Sequence, residues 1–596
     1  MKKMGLMNFI GGAWSVYQAV ETMEHNRRAR QQEAMMLDSL NEYKAVAEYM
    51  QNPEASEILG AGRMANYDDV SNANLFDSSG LYIGGYAGQP IFYNGDRHAL
   101  SYGRTRSGKG RDIILPVLAT NANDSLIVTD IKDGENAYAS ATARKALGHR
   151  VIALNPFNIA GIASYRLNPC QNMLNVAQAG YEMDGEDQQF IELFLPMTEK
   201  QKQADNSWAL EGARDILRIR AKYLAYYRPS ECNPTGLWHM VHGSREKITR
   251  QYQEMIDCGD ATISEPAATY LDAFENIERQ YGGYKTGLNR AVAPYAPNSV
   301  FSQETSVSDF DPADLKCEHI TVFAMLPTDK IEVGAQWLTL TVSMMMERIA
   351  AATGTIRTTV ILDELANLPY MPIVPKALKL FAGKGVRMWG FCQGRHSLSD
   401  AGYKQETIRE FEDQSGFLQL WEVEDMSLIK DVEGWSGKKG VTTRGANMGG
   451  GGGLQGSFSV NETARPVMQT EDIRAVGEGQ QLLKVAGCPH LIHGMRVPWF
   501  HIPSVEKQLR DVREISSGET DWKAERRKRV QTLPAPQPES ETHEPDEDEM
   551  LAFAVAELDE KDKQIAELKE RLERRDQLAA DLKDLLGGNS NGDSDG

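Results

Sequence analysis

Residues 103–110 read GRTRSGKG, a G-x-x-x-x-G-K spacing. A stretch of this kind can cradle phosphate: glycines let backbone N–H groups curl around the oxygens, a following helix presents its positive end, and the lysine neutralises β/γ charge. Gly103, Arg104, Thr105, Arg106, Ser107, Gly108, Lys109 and Gly110 are therefore the candidate binding residues. Gly110 stands where a Ser or Thr normally reaches magnesium. Water and a carboxylate can replace that hydroxyl, since the cation commonly keeps several waters. The alternative is a glycine-rich turn with no ligand.

The second half of a hydrolytic site lies in TTVILDEL, residues 358–365, an apolar run ending in Asp363 and Glu364. In a P-loop sheet the first carboxylate holds the magnesium shell and the second polarises the attacking water. A solvated strand end is the plainer alternative. Gln393 ends VRMWGFCQ, 30 positions after Asp363, where an amide can sense a γ-phosphate or orient water, or merely cap its strand. Lys384 and Arg387, just upstream, are candidates for a cationic finger across a subunit boundary, or ordinary surface charges. Taken together, the motifs point to nucleotide hydrolysis.

Such residues need rigid elements to present them. SLIVTD, VIAL, HITVFAML, TTVIL, VRMWGFC and FLQLW are short apolar runs separated by helical stretches, which predicts an α/β fold with a mostly parallel sheet covered on both faces. LYIGGYAGQPIFYNGDRHALSYG predicts strands and hairpin turns leading into the phosphate loop. Between the sheet segments, residues 170–300 carry long helical periodicity and predict an inserted all-α domain. The expected organisation is an N-terminal helical segment at 1–60, the nucleotide-binding domain in two parts at 61–169 and 301–515 around the insertion, a basic then acidic linker at 516–550, and a tail at 551–596. RGANMGGGGGLQGSFS, residues 444–459, reads as a flexible loop.

Net charge is -20 over 596 residues, but residues 539–596 alone carry 19 acidic against 7 basic side chains. Acidity therefore describes the tail, and does not exclude nucleic acid from the body. In the tail, Leu551, Leu558, Ile565, Leu572, Ala579 and Leu586 recur every seven residues, a coiled-coil pattern or a solvated single helix. Six scattered cysteines without a CxxC pair predict free, mostly buried thiols in a reducing cytoplasm and argue against a zinc site. GLMNFIGGAWSVYQAV, residues 5–20, is short for a membrane span and suits an interfacial or partner-binding helix.

Eleven segments in order, among them GLYIGGYAGQPIFYNG, GRTRSGKG, IVTDIKDGEN, NSWALEGARDIL, TVFAMLPTDKIE, VILDELANLP, GFCQGRHSL and ARPVMQTEDIRAVGEGQQLLKVAG, resemble the TraG-like coupling ATPases of type IV secretion and conjugation systems. The resemblance covers about residues 60–500. It implies a RecA-like P-loop NTPase that uses ATP and Mg2+, with phosphate on Lys109, magnesium on Asp363, catalysis by Glu364 and a strand-end glutamine at Gln393. It further implies six subunits around a channel, relaxase-bound single-stranded DNA as cargo, and relaxase, accessory and secretion-channel proteins as partners. Protein-only cargo, or a docking adaptor with little turnover, are the alternatives. Two departures stand out. The transmembrane helices usual in the family are not evident in residues 1–60, which implies a separate membrane-anchoring partner and a peripheral cytoplasmic location. The family's D-x-K-G-E appears as Asp130-Ile131-Lys132-Asp133-Gly134-Glu135, one residue longer.

Overall fold

The computed structural model describes residues 61–447 and 457–510, together with Met23, Arg27 and Arg30. Otherwise the expected N-terminal segment at 1–60, the linker at 516–550, its basic stretch at 523–530 and the coiled-coil tail lie outside the described residues. Among the described residues no helix is long and apolar enough to cross a membrane.

The main body, residues 64–435 and 470 onward, is built on one sheet. In chain order its strands are β1 (Leu81–Tyr86), β2 (Gln89–Tyr93), β3 (His98–Gly103), β4 (Ser125–Asp130), β5 (Arg150–Leu154), β6 (Ile320–Met325), β7 (Thr358–Leu362), β8 (Val386–Cys392) and β9 (Ser415–Trp421). A hairpin of β10 (Lys438–Asn447) and β11 (Ser457–Pro466) intervenes, and β12 (Gln480–Val485) and β13 (Ile492–Met495) return to the sheet. The spatial order is β2-β1-β13-β12-β9-β3-β8-β7-β4-β6-β5. From β9 to β5 every pairing is parallel, and β12, β13, β1 and β2 extend the sheet antiparallel. β3, β4, β6, β7, β8 and β9 are buried along their whole length, as strands covered on both faces must be. That is why they read as continuous apolar runs rather than alternating ones.

Between β5 and β6 the chain is helical, with Ser207–Tyr227, Arg245–Ile256, Ala261–Asn276 and Glu278–Val292 as its longer elements. Ala213, Ile216, Leu217, Ala221 and Leu224 are buried at three- and four-residue spacing along the first of these. Ser244 caps the second by accepting the Lys247 N–H at 3.3 Å.

The β10–β11 hairpin belongs to a second compact unit, which among the described residues includes 61–63 and the 436–469 region. Here the flexible-loop reading of 444–459 needs correction. Residues 444–447 and 457–459 lie in the paired strands, with Arg444 opposite Val460 and Asn447 opposite Ser457, and 448–456 fall outside the described residues. An antiparallel ladder is made by backbone groups, so glycine content alone does not prevent it. All six cysteines are free thiols, of which Cys170, Cys232 and Cys392 are buried.

The return from the helical segment to the sheet carries a titratable contact. Glu304 accepts a hydrogen bond from Ser164 Oγ at 2.5 Å, and its carbonyl accepts the Leu167 N–H at 2.9 Å. Burial pushes the Glu304 carboxyl up to about 7, outweighing the lowering by Ser164 and Arg166. The folded state thus binds a proton more tightly than the unfolded chain, whose glutamate titrates near 4.5. Stability from this group is full at low pH and is lost as pH rises through 4.5 to about 7. Glu304→Gln should therefore lose less thermal stability between pH 5 and pH 8 than the wild type does, as read by scanning calorimetry. Equal losses would show that the carboxyl does not titrate in this range.

Candidate nucleotide site

β3 delivers the phosphate loop by ending at Gly103. The chain turns through Gly108, which has φ +87°, into a π-helical turn at Lys109–Ile114 and an α-helix at Leu115–Thr120. Such a φ suits glycine, and a Cβ on Gly108 would also lie 2.5 Å from Asp112 Oδ2. At Gly103 a Cβ would lie 2.3 Å from the Trp421 indole nitrogen, so only glycine permits the ring to pack there. Trp421 Nε1 donates to Ser107 Oγ at 2.7 Å, and Ser107 Oγ donates to the Arg104 carbonyl at 2.5 Å.

Arg496, immediately after β13, completes the loop's support. Its Nη1 donates to the Ser107 carbonyl at 2.6 Å and pairs with Asp112 at 2.9 Å, while its guanidinium lies 4.7 Å from the Trp421 ring centroid. Arg104, Thr105 and Arg106 are exposed on the loop, and Arg104 pairs with Glu424 at 3.5 Å.

Parallel order places the other chemistry beside the loop. β8 lies between β3 and β7, and β4 follows β7. Gln393 leaves the end of β8, Asp363 and Glu364 leave β7, and Asp130 ends β4, all at the carboxyl edge where the phosphate loop begins. Crevices at that edge are where open α/β sheets bind ligands. The sheet thus brings Lys109, Asp363 and Glu364 together and sets Gln393, exposed, at the same edge. Lys109 Nζ lies 3.0 Å from Glu364 Oε1 and donates to the Gly103 carbonyl at 3.3 Å. Lys132, which the sequence reading left out of the site, lies 3.2 Å from Asp363 Oδ2 and 3.2 Å from Glu364 Oε1.

The electrostatics separate the acids. Burial pushes Glu364 up, but the ammonium groups of Lys109 and Lys132 outweigh it and hold the carboxyl below its ordinary value. Asp363 is raised, burial exceeding the opposing pull of Lys132. Asp130 is pushed up to about 7 by burial, against a hydrogen bond from the Ala137 N–H and with Asp363 reinforcing the rise. Glu364 adopts φ +57°, a left-handed conformation uncommon for a non-glycine residue.

These residues fit a nucleotide with a divalent cation. Glu364 Oε2 and Asp130 Oδ1 are buried without a protein partner, so the site has acceptor capacity that the fold itself does not use. Space beside Gly110 is open, with nothing within 4 Å of an added Cβ. Among the described residues no three His, Cys, Asp or Glu are gathered to hold a metal alone.

The finger candidates do not join this site within the subunit. Both precede or begin β8 and so lie at the opposite end of the sheet. Lys384 is exposed in the turn before the strand. Arg387 is only 1% exposed, pairs with Asp124, and donates to the Gly95 carbonyl at 2.7 Å and Thr359 Oγ1 at 3.1 Å. A buried, fully engaged guanidinium cannot reach a neighbouring subunit, so the reading of Arg387 as a finger is corrected to a structural one.

The fold of the body is shared with the bacterial conjugative coupling protein TrwBΔN70, at TM-score 0.52 and 14% identity over 73% of this chain and 92% of that one. It is shared equally with TrwB in complex with ADP and Mg2+, at TM-score 0.51 over 94% of that chain. The body therefore has the TrwB fold. The sequence profile of the type IV secretory system conjugative DNA transfer family matches residues 28–522. The chain belongs to that family. Relatives of the chain include the conjugal transfer protein TraG of Escherichia coli, 23% identical over 392 residues, and VirD4 of Rhizobium rhizogenes, 22% identical over 455. The matches cover 59% and 73% of this chain, but only 60% and 63% of those two proteins.

Three substitutions test the geometry. Arg387→Ala should destabilise the body by about 3–5 kcal/mol by leaving Asp124 short of its buried cation, whereas Lys384→Ala should stay within about 0.5 kcal/mol. Denaturant unfolding of both variants measures the contrast. Gly110→Ser should fold with stability changed by less than about 1 kcal/mol, because its side chain enters open space at a helix start.

Proposed function

We propose that this protein is an ATP-hydrolysing coupling protein that recruits relaxase-bound single-stranded DNA to a type IV secretion channel and drives its conjugative transfer. The observation that carries the catalytic part is the convergence of Lys109, Asp363, Glu364 and Gln393 at one sheet edge, with Glu364 held ionised by two lysines. Membership of the conjugative DNA transfer family supports the transport part. TrwB, which has the same fold, has been seen with an ATP analogue and with ADP and Mg2+, which supports ATP and Mg2+ as ligands here.

In this reading the backbone from Arg104 to Lys109 and the Lys109 ammonium bind the phosphates. Asp363 and solvent hold Mg2+, which supplies charge neutralisation on the transferring phosphoryl group. Glu364 accepts the proton of the attacking water, its unpartnered Oε2 being the acceptor. Gln393, exposed at the end of β8, orients that water. Active subunits assemble as a homo-hexamer around the DNA, with Lys384 the remaining candidate for a cation acting on a neighbour's nucleotide. Relaxase, accessory and secretion-channel proteins are the partners, and a separate anchoring protein holds the ring peripherally at the inner side of the membrane.

The test is ATP hydrolysis with single-stranded DNA present. Lys109→Ala should lower kcat/KM by about 100-fold or more. Glu364→Gln should lower kcat by about 100-fold while nucleotide binding persists, and Gln393→Ala by about tenfold. Equally slow hydrolysis by wild type and Lys109→Ala would overturn the enzymatic reading. Salt-sensitive binding of single-stranded DNA by a chain lacking the acidic tail is the expected companion result. Its absence would favour protein cargo.

A further inference from the structure

Lys132 occupies a place of its own in the site. Its Nζ lies 3.2 and 3.4 Å from the two Asp363 oxygens and 3.2 Å from Glu364 Oε1, so one ammonium bridges both strand-end acids. The acids are deeply buried, with side chains 2% and 5% exposed, while Lys132 is 39% exposed. It therefore closes the carboxylate pair from the solvent side. Asp130, two residues earlier, adds a third buried carboxylate with one unpartnered oxygen.

Asp363, both of whose oxygens face Lys132, is the acid that would take the divalent ion. An ammonium group and a divalent ion held against the same carboxylate repel each other, because like charges a few ångströms apart in a poorly screened site raise each other's energy. Glu364 Oε1 is also claimed by Lys109 at 3.0 Å, so two ammonium groups converge on a single oxygen. Phosphate draws off the first of these, and the second has to be displaced by metal. The Lys132 side chain itself has the means to leave, with a long unbranched stem that is 39% exposed to solvent.

We propose that Lys132 is a resident cation that competes with Mg2+ for Asp363, so that the metal-loaded site forms only as Lys132 withdraws. This rests on the nucleotide-hydrolysing reading above and adds to it a positioning residue. Displacement of Lys132 by metal and recruitment of Lys109 by phosphate together leave Glu364 free to act as base. The two ligands then reinforce each other's binding, since each removes one of the two ammonium groups from the same carboxylate.

The experiment compares binding of N-methylanthraniloyl-ADP to the full chain in EDTA and in Mg2+, by fluorescence titration, for wild type, Lys132→Met, Lys132→Gln and Lys132→Arg. The ratio of the two dissociation constants reports how much Mg2+ improves nucleotide binding. Removing the competitor should increase that ratio about tenfold in Lys132→Met and Lys132→Gln, the scale of one unit of charge interaction. Lys132→Arg should keep the wild-type ratio, and Asp363→Asn added to Lys132→Met should abolish the gain. A structural role alone cannot produce tighter metal-dependent binding. An unchanged or smaller ratio in both neutral variants, with wild-type binding intact, overturns this inference alone. Failure of the wild type to bind the analogue in either condition overturns the nucleotide reading and this inference with it.

Discussion

Carboxylates drawn into a protein interior stay ionised only where a cation or several N–H groups stand beside them. At the carboxyl edge of this sheet the strand order forces three acids, Asp130, Asp363 and Glu364, into neighbouring positions. Lys109 and Lys132 answer two of them. The third, Asp130, is pushed up to about 7 and leans on the Ala137 N–H instead. The character of this edge follows from that shortage of positive charge. A site with more acid than base has a standing affinity for further cations, and a triphosphate with its metal brings both the cation and a new partner for Lys109.

Opposite, at the amino edge, the same physics produces a closed network. Asp124 is met by Arg387 and Arg357 and by the Thr359 hydroxyl, and these hold its carboxyl below the ordinary value despite burial. Charges there are matched and hydrogen-bonded, so that edge fastens strands, while the other edge remains reactive. One sheet thus carries a satisfied end and an unsatisfied one, and the difference lies in a few guanidinium groups.

Much of this was legible in the chain. Buried parallel strands announce themselves as short apolar runs, and β4, β6, β7, β8 and β9 fall where those runs were. Lys109, Asp363, Glu364 and Gln393 could be proposed from the chain because each sits at the end of such a run or in a spacing with its own chemistry. Lys132 escaped because its partner Asp363 lies 231 positions away, and nothing in IVTDIKDGEN says which acid the lysine will meet. Arg387 was misjudged because a charged residue at a strand start looks exposed until the Gly95 turn and Asp124 are known to close over it. Residues 444–459 were misjudged because glycine content reports side-chain packing and is silent about a backbone ladder.

Arg496 carries a consequence for how the molecule comes into being. The loop at 103–110 is shaped by Trp421 and by a guanidinium 389 positions downstream of Ser107, whose charge is buried against Asp112. Contacts of such sequence separation are closed late, after the local helices and hairpins. During synthesis the phosphate motif therefore leaves the ribosome hundreds of residues before the parts that brace it. A nascent chain that has not yet reached β13 holds the motif without its support, so the loop takes its final shape only when nearly the whole body is made.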